Sequence, residues 1–402
     1  MKEAYIIDGI RTPIGSFGGS LATVRADDLA ALVLKELIKR NPQIAVEAIE
    51  DVLLGCHNQA GEDNRNVARM ALLLAGLPSS VPGETINRLC ASGMSAVINA
   101  ARAIRSGDGD IFIAGGMEHM TRGPYVISKT SKPFGNDSQM FDSSFGWRFV
   151  NPLMHQMYGT DAMGITAENL VEMYNISREQ QDRFAYQSQM RAAQAQKSGR
   201  FAEEIIPVEI TTNKNERRLF KDDEFVKPNS TFEKLSQLKP AFKKEGGSVT
   251  AGNSSGLNDG AAALYVVSEE AIKKYNLSPK ARIVSSGVVG VEPRIMGIGP
   301  VGATQKALKK AGLSLNDIDI IEINEAFAVQ TIACIRQLGL QDDDPRINPN
   351  GGAIALGHPL GMSGARIIQT ATVELEKQNK RYALVTMCVG VGQGYATIIE
   401  RV

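Results

Sequence analysis

Three short segments of this chain recur in the same order at a nearly constant spacing. Residues 49–55 (Ile-Glu-Asp-Val-Leu-Leu-Gly) resemble residues 317–323 (Asp-Ile-Asp-Ile-Ile-Glu-Ile) at an offset of 268. Residues 90–96 (Cys-Ala-Ser-Gly-Met-Ser-Ala) resemble residues 358–364 (His-Pro-Leu-Gly-Met-Ser-Gly) at the same offset. Residues 111–116 have a counterpart in residues 383–388, near 270. Weak similarity kept in register predicts two copies of one structural unit. If two like halves pack about a pseudo-twofold axis, equivalent helix starts converge on one spot. The alignment makes Cys90 and His358 equivalent. A cysteine and a histidine brought together have the makings of an activated nucleophile.

The rest of the chain fits two α/β copies with an insertion. At 402 residues it is too long for one simple core. Residues 1–120 alternate strand-like runs (4–8, 52–55, 111–116) with helical runs (27–40, 66–75 and the stretch after Cys90), an α/β layered pattern. Residues 121–249 change texture, becoming rich in Met, Ser, Lys, Gln and Phe around one long polar helix at 177–198. Ser177 and Gln180 form its expected capping box. Residues 250–272 return to compact texture and complete the first half, with a strand at 264–268. Residues 273–402 are the second half.

Charge and cysteine usage exclude several classes. Forty-four basic and 44 acidic residues give no net charge, so no global field draws nucleic acid. The four cysteines are far apart and form no C-x-x-C pair, poor spacing for zinc or a disulfide framework. No apolar run approaches the ~18 residues of a membrane span, and the first residues read as a strand rather than a signal segment. A cytoplasmic protein without membrane or nucleic-acid partners is expected.

Four positions carry candidate chemistry. Cys90 stands where a run of small residues turns into a helix, with Val97, Ile98, Ala101 and Ile104 on its buried face. Unpaired N–H groups at a helix start stabilise a thiolate, so the site is expected to lower the thiol pKa. A small core cysteine is the alternative. His358 lies among glycines that leave room for a ligand, with Pro359 stiffening the turn; a structural loop histidine is the alternative. Cys388 ends an apolar strand, beside glycines whose N–H groups can hold an oxyanion, or it is simply buried there. Asn324 follows the strand 320–323 and either orients a water or carbonyl or caps a helix.

Together, residues 87–93 (Asn-Arg-Leu-Cys-Ala-Ser-Gly), 324–327 (Asn-Glu-Ala-Phe), 357–359 (Gly-His-Pro) and 388–392 (Cys-Val-Gly-Val-Gly) resemble the thiolase family in order and spacing, over essentially the whole chain. The resemblance implies an αβαβα sandwich of two duplicated halves with an inserted loop domain, 121–249, that binds coenzyme A, in a homodimer or homotetramer. It implies that Cys90 is acylated, His358 accepts its proton, and Cys388 exchanges a proton with the acetyl-CoA carbon. It further implies two oxyanion sites, one from His358 and an Asn324-held water, the other from the N–H groups of Cys90 and Gly390. CoA is a substrate, with no tightly bound cofactor and no metal. No dinucleotide fingerprint or P-loop is present. By resemblance Ser255 lies along the pantetheine arm, and Lys227 and Lys234 lie near the nucleotide. The family often has arginine at the first of these lysines.

Residues 141–152, 61–66 and 291–297 look most like 3-oxoadipyl-CoA thiolases, so a 3-oxoacyl chain longer than acetoacetyl is expected, one ending in carboxylate. Arg148 or His155 would meet that carboxylate. Two features depart from this subfamily: residues 91–95 read as in general acyl-CoA thiolases, and His119 stands where the family usually has serine. Ala162 stands where biosynthetic acetoacetyl-CoA thiolases often carry histidine. The competing readings are a biosynthetic acetoacetyl-CoA thiolase, a decarboxylating condensing enzyme, which would need a second histidine motif, and an inactive thiolase-like acyl-CoA carrier.

Overall fold

The strand Ile111–His119 is buried along its whole length, as its continuous apolar run requires of a strand covered on both faces. It lies within a sheet whose hydrogen-bonded order is Ile320–Ile323, Tyr382–Val389, Gln393–Arg401, Ala281–Gly290, Ala4–Arg11, Asn258–Ser268, Ile111–His119, Asp51–Gly55, Gly83–Ile86. This computed structural model describes residues 2–211 and 216–402.

The order is a near palindrome. Read outward from the centre, each half runs antiparallel, antiparallel, parallel. Leu53 pairs with Ala114 in the first half and Ile321 with Leu384 in the second, offsets of 268 and 270, so the sheet keeps the first sequence equivalence and shifts that of 111–116 with 383–388 by two residues. The outermost parallel neighbour is a strand, Gly83–Ile86, in the first half and a single bridge, Ile321 to Ile347, in the second. Among the described residues the two half-sheets pair through Tyr5–Arg282 and Ile6–Ala281, with the Lys280 N–H donating to Ile6 O (2.9 Å) beside them. Two duplicated halves are therefore present.

Helix amphipathicity decides the layers. Ala26–Arg40 buries only one stripe (Leu29, Ala30, Val33, Leu34, Leu37) and packs with Val67–Leu74 outside the first half-sheet. Gly299–Ala311 does the same outside the second, whereas Ala328–Gln337 is buried on every face from Ala328 to Ile335 because Met163–Tyr174 and Arg178–Lys197 cover its outer side. Leu360–Lys377 is buried on every face from Gly361 to Leu375 and lies with Ser92–Ser106 in the central layer. The result is the expected αβαβα sandwich. The two central helices touch through glycine: a Cβ on Gly93 would stand 2.5 Å from the Gly361 carbonyl oxygen, and one on Gly364 would stand 2.3 Å from the Met94 nitrogen. Side chains there would push apart the two helix starts that carry the candidate residues.

Between 121 and 249, two small hairpins (Tyr125–Ile127 with Met140–Asp142, Val208–Thr211 with Arg217–Phe220) accompany helices. The longest, Arg178–Lys197, opens with the expected Ser177–Gln180 capping box. Its buried face packs on Ala353–Leu356 and Ala328–Gln337, so this segment rests on the second half beside Asn324 and His358. No helix of the described residues is long and apolar enough to cross a membrane.

Candidate active site

Each candidate residue sits where a strand or turn ends against the central helices. The strand Ile320–Ile323 delivers Asn324 at 0% exposure. Glu325 then anchors the loop by accepting from Ser188 Oγ (2.6 Å), Asn348 Nδ2 (2.7 Å) and the Ile354 N–H (3.2 Å). Tyr382–Val389 delivers Cys388, and a tight turn follows in which Val391 takes φ +59°. The Cys90 turn contains a second such residue, Leu89 at φ +48°. Left-handed backbone at a valine and a leucine costs about 1–3 kcal/mol each and clusters at functional sites. Here one residue precedes Cys90 and the other follows Gly390.

The Cys90 turn is braced across the two halves. Arg88 donates to Gln393 Oε1 (3.0 Å) on the hairpin after Gly390 and to Ser95 Oγ (3.3 Å) on the following helix. Ser92 Oγ accepts the Arg88 N–H and donates to the Leu89 carbonyl. The helix itself begins at Ser92. Within this frame the N–H groups of Gly390 and of Cys90 itself both serve the Cys90 sulfur. Asn324 Nδ2 lies 3.3 Å from His358 Nε2, while His358 Nδ1 lies 2.6 Å from Ser363 Oγ. The Asn324 N–H donates to Thr386 O (3.0 Å), two residues before Cys388, and Cys388 lies close enough to Cys90 for their charges to interact, so both groups gather at the same strand end.

The expected lowering of the Cys90 thiol is not found. Burial pushes it up to about 11, the Glu118 carboxylate adds to the rise, and the two N–H groups only partly oppose it. The magnitudes explain the sign: a helix start contributes about 0.3–1 kcal/mol, under one pKa unit, whereas desolvation shifts a buried group by up to 3–5 units. His358 moves down to about 3, chiefly because burial disfavours the cation and secondarily because Arg366 lies near. Cys388 is pushed well above its ordinary range by burial, with Cys90 and Cys334 as lesser causes. The resting site is therefore thiol, imidazole and thiol, all neutral. A second thiol, Cys388, stands near Cys90, and backbone N–H groups face the Cys90 sulfur.

Lys227 and Lys234 line one cleft of about 520 Å³ together with Gln189, Phe225, Leu235 and Gly252. The Lys227 ammonium stands 5.0 Å over the Phe225 ring. Ser255 follows Gly252 of this cleft by three residues, and its N–H donates to Ala326 O (3.0 Å), two residues past Asn324. Arg148 is half-buried and donates to Ser143 O (3.1 Å) and Asn58 Oδ1 (3.3 Å). His155 is exposed, with Nδ1 2.8 Å from Thr160 Oγ1. His119 is buried, with Nε2 3.1 Å from Leu21 O and Nδ1 3.3 Å from Asp259 Oδ1. Ala162 caps the helix Met163–Tyr174.

The sequence reading missed Ser363, Arg88 and Glu118. Ser363 carried a signal, since it is five residues from His358 and faces it across the first helical turn. Glu118 carried one too, lying 270 residues before Cys388.

The family model described as the N-terminal domain of thiolase matches residues 4–270, and that for the C-terminal domain matches residues 277–401. The chain is 59% identical over 402 residues, all of both chains, to a 3-oxoadipyl-CoA/3-oxo-5,6-dehydrosuberyl-CoA thiolase of Escherichia coli K12. It is 57% identical over 401 residues, again all of both, to a beta-ketoadipyl-CoA thiolase of Pseudomonas aeruginosa. Human mitochondrial 3-ketoacyl-CoA thiolase superposes with a TM-score of 0.93 at 40% identity, covering 100% of this chain and 99% of that one. With the duplicated sandwich and two full-length domain matches, this chain belongs to the thiolase family.

Proposed function

We propose that this protein is a catabolic acetyl-CoA C-acyltransferase that cleaves a 3-oxoacyl-CoA to acetyl-CoA and a shortened acyl-CoA, with 3-oxoadipyl-CoA as its substrate. The carrying observation is the convergence of two thiols and one neutral imidazole on a pair of backbone N–H groups. Cys90 sulfur attacks the 3-oxo carbon while its proton passes to His358 Nε2. The bond between carbons 2 and 3 breaks, its electron pair leaving as the acetyl-CoA enolate, and the Cys388 thiol protonates carbon 2. CoA then attacks the acyl group on Cys90, giving its proton to the Cys388 thiolate, and the His358 imidazolium returns its proton to the departing Cys90 sulfur. Charge grows on an oxygen in both halves of the cycle, so donors preorganised by Gly390, Cys90, His358 and Asn324 supply the main stabilisation.

Residues 121–249 act as the loop domain for CoA, a substrate rather than a bound cofactor. The cleft lined by Lys227 and Lys234 would take the nucleotide, its lysines meeting phosphate as point charges, and Ser255 would lie along the pantetheine arm. Exposed Tyr125, Ile127 and Met140, 63–70% accessible on one small hairpin, favour a homodimer or homotetramer.

For the substrate's terminal carboxylate, Arg148 is favoured over His155. Its guanidinium is held by neutral oxygens, and no carboxylate of the described residues forms an ion pair with it. Mass spectrometry of enzyme mixed with 3-oxoadipyl-CoA without free CoA should show a succinyl adduct on Cys90; an adduct only on Cys388, or none, refutes the mechanism. Arg148→Gln should lower kcat/KM for 3-oxoadipyl-CoA about 10–100-fold, the scale of one charged hydrogen bond, while 3-oxohexanoyl-CoA changes little. A wild-type preference for acetoacetyl-CoA would overturn the substrate and leave the thiolase reaction standing.

A further inference from the structure

The pseudo-twofold axis that joins Cys90 to His358 makes a second pairing. Where the second half ends a strand in Cys388, the first half has Glu118, since Ala114 and Leu384 hold equivalent places in the sheet. Glu118 is 1% exposed. Its Oε2 accepts the N–H groups of His57 (2.9 Å) and Gly361 (2.9 Å), and its Oε1 accepts that of Asn58 (3.0 Å). Gly361 lies in the first turn of Leu360–Lys377, three residues past His358, and its N–H has no partner within that helix. On the other side, the His57 carbonyl accepts from Asn87 Nδ2 (3.0 Å), three residues before Cys90.

One carboxylate therefore clamps the His358 turn to the Cys90 turn across the junction of the halves. Asp63, the neighbouring carboxylate, is occupied differently: it takes the N–H groups of Gln59 and Gly61 and the Cys56 thiol (3.5 Å), locking the outer loop. The charged and titratable groups around Glu118 are Asp63 and Cys56 on that loop, His57 on the same turn, and Cys90 opposite. The Glu118 charge acts on Cys90, disfavouring its thiolate.

We propose that Glu118 is a positioning residue for the acyl-transfer reaction: its carboxylate sets the His358 turn against the Cys90 turn without touching substrate. This rests on the roles proposed above for Cys90 and His358. Glutamine in its place removes the charge and can accept on one side only; aspartate keeps the charge but falls short of the three N–H groups.

The test uses full-length enzyme carrying Glu118→Gln or Glu118→Asp. The readouts are kcat, KM and the pH profile of Cys90 alkylation by iodoacetamide. Both variants should lose about 10–100-fold in kcat, the scale of a sub-ångström to ångström displacement of reacting groups, with KM within about twofold. The alkylation profile should move to lower pH in Glu118→Gln and stay in place in Glu118→Asp. Wild-type kcat in either variant, or an unmoved profile in Glu118→Gln, overturns the proposal. Should Glu118→Gln fail to fold, the Asp variant decides: lowered kcat with an unmoved profile supports it, and wild-type kcat overturns it. Loss of the acyl adduct on wild-type Cys90 would instead strike the underlying reaction, so the two failures are distinguishable.

Discussion

His358 Nδ1 and Ser363 Oγ lie 2.6 Å apart, and this contact decides which imidazole nitrogen carries the ring proton. The Ser363 hydroxyl gives its own proton to the Pro359 carbonyl (2.8 Å), so toward His358 it can only accept. The ring proton is thereby placed on Nδ1. The Nε2 lone pair is left accepting from Asn324 Nδ2 (3.3 Å), and in the reaction proposed above it gives up that contact when it takes the Cys90 proton. Ser363→Ala should lower kcat about tenfold with KM nearly unchanged, because it frees the tautomer without removing the base. His358→Asn should cost about 10²–10⁴ in kcat, the usual weight of a general base. Equal losses in the two variants would show that Ser363 does more than orient the ring.

The neutral resting site has a signature in thiol chemistry. With the Cys90 thiol pushed up to about 11 and His358 held down to about 3, no thiolate–imidazolium pair exists in the free enzyme near neutrality. Alkylation of Cys90 by iodoacetamide should climb steadily from pH 7 to beyond pH 9. A plateau between pH 5 and 8 would mean a preformed ion pair.

The same shifts act on folding. His57 is held down to about 4, by burial and by the Arg148 charge, and His358 to about 3, from an ordinary 6.5. Between those values the unfolded chain binds more protons than the folded one, so stability rises with pH there. The contribution is complete above pH 6.5 and is lost as pH falls toward 3. Glu118 runs the other way: burial raises it to about 7 from 4.5, so its contribution is complete below pH 4.5 and lost as pH rises through 7. His57→Asn should flatten the decline of the urea midpoint between pH 6.5 and 4.5. An unchanged slope would assign that decline to other groups.

A buried ionic network ties the inserted segment to the sandwich. Arg11, fully buried, holds Asp223 with two bonds (2.8 and 2.9 Å) and Glu204 with one (3.3 Å), and Asp223 also accepts the Ile14 N–H (2.7 Å). Arg200 continues the chain from Glu204 (2.5 Å) to Glu374 (2.7 Å) on the central helix. Arg11→Met would leave the Asp223 carboxylate buried without its cation, costing about 3–5 kcal/mol in urea unfolding. A loss below about 1 kcal/mol would mean that solvent reaches this network.

Periodicity made the layered elements legible before any coordinates. Continuous apolar runs marked Ile111–His119 and Tyr382–Val389, and a one-sided stripe marked Ala26–Arg40, because burial on one face or two is written directly into residue spacing. Boundaries were less legible. The strand Asn258–Ser268 begins six residues before its expected start, since small residues such as Gly260 and Ala261 pair in a sheet only when neighbours cover them. The repeat and the four motif blocks likewise pointed to Cys90, Asn324, His358 and Cys388 as candidates, because a duplicated unit puts equivalent turns in equivalent places.

Tertiary structure alone decided their protonation and support. The Cys90 thiol rises rather than falls because desolvation depends on everything packed around the sulfur, which no local motif encodes. Ser363, Arg88 and Glu118 gain their roles from partners that the fold brings close: Ser363 from a ring across one helical turn, Arg88 from Gln393 at a separation of 305 residues, and Glu118 from Gly361 at 243. The sequence by itself determined two like halves and the residues that face each other between them. Which nitrogen carries the ring proton, and how the Cys90 and His358 turns are clamped, follow from hydrogen-bond distances that exist only once those halves have packed.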